Sequence, residues 1–112
     1  MLPLENRLKK KKDFENVFKK GKGFKLGFLY LKKVKNNLAK TRFGFITSSK
    51  FSKKAVERNL ARRKLRKAVK DEMPNIKKGF DVAIVVLPEA KNKVDNLEKN
   101  IINLLKKAGL SK

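Results

Sequence analysis

Asn59, Arg62, Arg63, Arg66 and Lys70 fall at i, i+3, i+4, i+7 and i+11 within the stretch Lys53–Lys70. On an α-helix that spacing lines four cations and one amide along about three turns. Such a row is unfavourable alone, because like charges at i,i+4 repel by a few tenths of a kcal/mol per pair. Glu57, Asp71 and Glu72 are the only acids close by in the chain. Arg outnumbers Lys in the row. A guanidinium forks onto phosphate bidentately, where an ammonium is a point charge. An amide at the same level can reach a phosphate, a ribose or a base edge. The row therefore points to polyanion binding, with nucleic acid the foremost partner. The plainer alternative is a solvated face that keeps the protein in solution.

Composition narrows the chemistry further. The chain has 112 residues with 32 Lys and Arg, 10 Asp and Glu, and a formal charge of +22. It has no His and no Cys. The commonest general base, disulfides and thiolate zinc sites are therefore absent. Hydrolysing a phosphodiester needs a general base, or metals held by clustered carboxylates. The acids are scattered, and the adjacent pair Asp71-Glu72 would project about 100° apart on a helix. No catalytic residue and no metal ligand is assigned. Residues 1–70 carry 24 basic and 4 acidic residues, and residues 71–112 carry 8 and 6. Binding should concentrate on the first two thirds, where self-repulsion is strongest. No apolar run reaches signal-peptide length or the ~20 residues of a membrane span. No membrane partner is expected, and the expected setting is a reducing cytoplasm.

The basic row needs a rigid support. Ala61, Leu65, Ala68 and Val69 fall at i, i+4, i+7 and i+8, roughly 120° from the cations. That narrow face of small side chains suits close packing on a sheet. The strands expected beneath it are 23–34, 41–48 and 80–87. Gly27 marks a bend, a bulge or a split of the first into two. The run Phe80–Leu87 is nearly continuous in β-branched residues, which implies a central strand covered on both faces. Helices are expected over 13–20, with Gly21 as its left-handed stop, and from Val94 to Ala108, closed by Gly109. Ser49 or Ser52 is the expected cap of the basic helix. Residues 1–12 read as a flexible basic arm on a single RNA-binding domain spanning 1–112. The order of elements implies an α+β sandwich, with three helices packed on a mixed sheet of three to four strands.

The basic helix also carries a family resemblance. Ala55-Val56-x-Arg58-Asn59-x-x-Arg62-Arg63-x-x-Arg66 resembles the Arg-Asn-Arg signature helix of the bacterial ribonuclease P protein subunit. Asp13-Phe14-x-x-Val17-Phe18-x-x-Gly21 and Arg42-x-Gly44 also fit that family, and the likeness spans about residues 7–108. This chain departs from the usual pattern in having Leu60 where a basic residue follows the Asn, and in lacking a loop Gly before the helix. The resemblance implies the ribosomal-protein domain 2-like fold, with a left-handed β-α-β crossover around the basic helix. It implies a 1:1 complex with ribonuclease P RNA, which cleaves precursor tRNA with Mg²⁺ bound mainly by the RNA. Arg58, Asn59, Arg62, Arg63 and Arg66 match the helix that lies against the catalytic RNA. Lys50, Lys53, Lys54 and Lys70 join them as candidate contacts. Arg58 projects toward the apolar side, so anchoring the helix is its alternative role. Phe14, Phe18 and Tyr30 match positions that contact the 5′ leader of the substrate, against a plainer role in the core.

Two other classes compete. A structural ribosomal or other RNA-binding protein shares the charge, and would co-purify with ribosomes without stimulating 5′ processing. A duplex-DNA module would place the basic helix in the major groove and bind DNA as well as RNA at matched salt. On electrostatic grounds RNA affinity should fall steeply as salt rises; a filter-binding titration across ionic strength checks this, and a flat profile would contradict it.

Overall fold

The most apolar strand of the chain lies inside the sheet, as its composition requires. In the computed structural model, residues 6–47, 54–87 and 97–111 are described. The strands are β1 (Lys22–Leu26), β2 (Leu29–Lys35), β3 (Arg42–Thr47) and β4 (Phe80–Val86). The helices are α1 (Lys11–Lys20), α2 (Ala55–Glu72) and α3 (Leu97–Lys107), and a 3₁₀ turn, Met73–Asn75, follows α2. The sheet order is β1-β2-β4-β3. β2 pairs antiparallel with β1 and β4, while β3 runs parallel to β4 with α2 as the crossover.

Alternation along β4 divides the molecule into two packed faces. Val82, Ile84 and Val86 belong to the main core, with Leu65 and Val69 of α2 and Ile101, Leu104 and Leu105 of α3. Ala83 points the other way, into a smaller cluster with Leu8 and Val17 under α1. The expected α+β sandwich is thus present, with α2 and α3 on one face and α1 partly covering the other. Gly109, at φ 75°, stops α3. Leu110 N–H donates to Leu105 O and Gly109 N–H to Lys106 O, each at 3.0 Å, closing the carbonyl end of the helix.

Several boundaries differ from the sequence reading. The long first strand is two strands joined by a two-residue loop, since Leu26 pairs with Leu29. Gly27 at φ 58° supplies the positive φ that such a loop needs first. Gly21 is not left-handed; it is extended at φ −76°. Its small size serves instead for close approach, because a Cβ there would overlap Val17 O. α1 starts two residues early, taking in Lys11 and Lys12. Residues 1–5 of the expected arm lie outside the described residues, and from Asn6 the chain is docked. Asn6 Nδ2 donates to Thr41 O at 2.9 Å, and Leu8 N–H donates to Phe43 O at 2.8 Å. Lys54 holds the N-cap of α2 without a side-chain cap, and Ser49 and Ser52 fall outside the described residues.

One ion-pair network fastens α1 and β3 to β4. Asp81 is 3% exposed. Arg42 Nε donates to Asp81 Oδ1 at 2.8 Å and its Nη2 to Oδ2 at 2.6 Å. Arg42 also lies 3.4 Å from Asp13 in the first turn of α1. Asn36 Nδ2 adds a bond to Asp81 Oδ1 at 2.9 Å. The hydrogen bonds to Asp81 raise the Arg42 pKa above its ordinary value, against a smaller opposing effect of burial. Removing one member of a buried pair strands the other. Asp81→Ala should lower stability by about 3 kcal/mol, read as a reduced urea midpoint; an unchanged midpoint would show that the network is not structural.

Candidate nucleic-acid interface

The support for the basic row is the buried face of α2. Ala61, Leu65 and Val69 are fully buried and Ala68 nearly so, which turns the polar stripe outward. Asn59, Arg63 and Lys70 are exposed, and Arg62 and Arg66 are half-buried along the margin of β3. Arg62 donates to Thr47 Oγ1 at 3.2 Å and to Asn59 Oδ1. These bonds hold its guanidinium without neutralising it. Among the described residues, Arg62, Arg63 and Arg66 form no ion pair. Arg58 is half-buried and interacts with other groups of the chain, as does the exposed Lys54. Lys50 and Lys53 lie outside the described residues.

The structure adds two cations that local sequence could not assign. Arg7 and Lys9 join Arg62 and Arg66 around a groove of about 410 Å³, over the rings of Phe14 and Phe45. Burial first, then Arg62 and Arg7, lower the pKa of Arg66. Guanidiniums distant in sequence, Arg7 and Arg66, are thus close enough to repel. An anion seated among them would relieve that repulsion. The bridge Arg7↔Phe43 and the bonds of Asn6 and Leu8 to β3 and its approach bring the amino-terminal segment here. The faint signal in the sequence was Leu8, an apolar residue set among cations.

A second open surface lies on the α1 face. Register aligns Lys25, Tyr30, Val85 and Ile46 in one row across the sheet. α1 covers the next rows, where Gly44 and Ala83 lie, and leaves the Tyr30 row half-open. Phe18, in the last turn of α1, is 36% exposed. Lys32 Nζ donates to Phe18 O at 2.7 Å, tying the helix end to β2. Tyr30 is half-buried, and a Cβ at Gly23 would overlap its hydroxyl end. Phe14 differs from both. Its ring rests over Gly44, where a Cβ would overlap it, and it packs with Leu8, Val17 and Ala83. Phe18 and Tyr30 therefore present open rings, while Phe14 is largely a packing residue that reaches the rim of the groove.

Among the described residues, no three Asp or Glu side chains group together. No described helix is long and apolar enough to cross a membrane. A dry floor, a rigid row of guanidiniums and open aromatic rings suit the binding of RNA.

Comparison with known proteins agrees with this geometry. A profile of the family described as Ribonuclease P matches residues 2–109. The ribonuclease P protein component of Syntrophomonas wolfei is 37% identical over 111 residues, covering 98% of this chain and 92% of that protein. The one from Synechocystis is 40% identical over 89 residues, covering 79% and 72%. Among solved structures, the RNase P protein of Staphylococcus aureus superimposes with a TM-score of 0.88 at 25% identity, covering 96% of this chain and 98% of that one. That of Thermotoga maritima gives 0.83 at 28% identity, covering 90% and 98%.

The two phenylalanines of α1 should separate on truncation. Phe14→Ala should cost about 3 kcal/mol by leaving a cavity over Gly44. Phe18→Ala should change stability by less than about 1 kcal/mol. Denaturant melts of both variants check this; equal losses would mean that Phe18 is also a core residue.

Proposed function

The chain belongs to the ribonuclease P protein family, and from that premise we propose that it is the protein subunit of the tRNA 5′-processing endoribonuclease. Its catalytic partner is ribonuclease P RNA, and its substrate is precursor tRNA. The observation that carries the reading is the α2 row, held outward by a buried face and unpaired by carboxylates. Arg62, Arg63 and Arg66, with Asn59 and Lys70, dock on the catalytic RNA, and Arg7 and Lys9 extend that surface around β3. Phe18 and Tyr30 stack on bases of the single-stranded leader, each contact worth about 1–3 kcal/mol with little sequence preference. The two surfaces lie on opposite sides of the sheet's β3 margin, so one chain can hold both RNAs.

Mg²⁺ belongs to the RNA in this reading, where it activates the water that cleaves the phosphodiester. The protein contributes cations that lower the repulsion between two RNAs and so help Mg²⁺ occupy its sites. A 1:1 complex in the cytoplasm completes the proposal. The rival role, a structural RNA-binding protein without part in cleavage, shares the charge but would not stimulate release of the 5′ leader.

Reconstitution with bacterial ribonuclease P RNA at limiting Mg²⁺ tests the proposal through release of the 5′ leader. The wild-type chain should stimulate cleavage. Arg62→Ala/Arg66→Ala should weaken assembly roughly tenfold or more, at about 1 kcal/mol per lost charged contact. Phe18→Ala should lower affinity chiefly for leader-bearing substrate. Equal losses with leaderless substrate would refute the leader assignment.

A further inference from the structure

A cluster of lysines lies at the end of the sheet where β1 and β4 begin. Lys33 Nζ sits 5.6 Å from the Phe24 ring centre and 5.1 Å from that of Phe80. Lys22 Nζ lies 5.7 Å from the Phe24 ring from its own position on β1. All three distances are within cation–π range. Lys35 pairs with Phe80 and Lys33 with Val82, which puts all of them on the sheet face that carries α2 and α3. Burial first, then Lys77 in the loop before β4 and Lys22, lower the Lys33 pKa. Among the described residues, none of these four lysines pairs with a carboxylate. Two partly buried rings hold the Lys22 and Lys33 ammoniums in place but cannot neutralise them.

We infer that Lys22, Lys33, Lys35 and Lys77, set around Phe24 and Phe80, form a second docking surface for the phosphodiester backbone of the catalytic RNA. Charge selects a polyanion, and the face selects which one. The patch shares its side of the sheet with α2, whereas the Phe18–Tyr30 row lies on the opposite side. An RNA lying over α2 therefore reaches the patch without crossing the sheet, and a leader strand in the α1-side row does not. The rings fix the ammoniums before binding, so less side-chain freedom is lost when phosphate arrives. The inference rests on the reading of α2 as the side facing the catalytic RNA.

The test compares two full-length double variants of equal charge. Lys22→Gln/Lys77→Gln alters the patch and leaves the ring-bound Lys33 in place. Lys99→Gln/Lys106→Gln removes two exposed cations from α3. Affinity for ribonuclease P RNA is measured against salt, with thermal melts confirming the fold. The slope of log affinity against log salt should fall by about 1.5 in the patch variant, near the value for two lost phosphate contacts, and by much less in the control. Equal changes in both variants, or none in either, overturn the proposal. So does a patch variant that weakens binding only to a leader oligonucleotide. Arg62→Ala/Arg66→Ala runs alongside. If it loses RNA binding while the patch variant does not, the patch fails and the α2 reading stands. If it keeps full affinity, the α2 reading fails, and the inference falls with it.

Discussion

A carboxylate buried beneath α1 sets the geometry of everything around it. An ionised group as enclosed as Asp81 is unfavourable unless its oxygens are satisfied. Here they are, by the fork of Arg42 and the amide of Asn36. Those partners come from β3 and from the turn after β2, and Arg42 reaches on to Asp13 of α1. One charge therefore ties the start of α1 and the start of β3 to β4. The position of β3 in turn decides where α2 crosses and which way its arginines face. In a chain with 10 acids against 32 cations, carboxylates used for internal fastening are not available to quench the outer row.

The same scarcity explains how electrostatics and packing divide the work. The buried residues of α2, Ala61, Leu65, Ala68 and Val69, share one face, so its long cations project from the other side of the helix. Half-burial of Arg62 and Arg66 against β3 limits their motion, and a restrained guanidinium loses less freedom on meeting phosphate. On the other face, Gly44 provides the notch that seats Phe14 and lets α1 lie low. That arrangement leaves the Tyr30 row uncovered. Absent side chains at Gly44 and Gly23 shape the aromatic surface as much as the rings do.

Much of this was legible because it depends on local period. The 3.6-residue rhythm of Ala61, Leu65, Ala68 and Val69 located α2 and its outward stripe to within two residues. The β-branched run of β4 announced a central strand. What was not legible depends on contacts distant in sequence. No pattern near Arg7 says that it will pair with Phe43, so Arg7 and Lys9 read as a loose arm. Phe14 and Phe18 are equivalent by helical spacing, and only the notch at Gly44 separates them. Gly27 left a bend, a bulge or a split into two strands open, and the pairing of Leu26 with Leu29 resolved it. Val56, 76% exposed, and Leu60, 38% exposed, place apolar surface beside Asn59 and Arg63. Leu60, which departs from the family pattern, thus stands on the exposed side of the helix.

The sheet cannot be completed strand by strand in the order of translation. β2 and β3 have no direct partner in each other; each is hydrogen-bonded to β4, which follows both and the basic helix in the chain. A nascent polypeptide can close the β1–β2 hairpin early, but its third strand has nowhere to dock until residue 80 and beyond have left the exit tunnel. Elongation at roughly 5–20 residues per second leaves an interval of seconds, during which a segment with 24 basic and 4 acidic residues trails unsheltered beside ribosomal RNA.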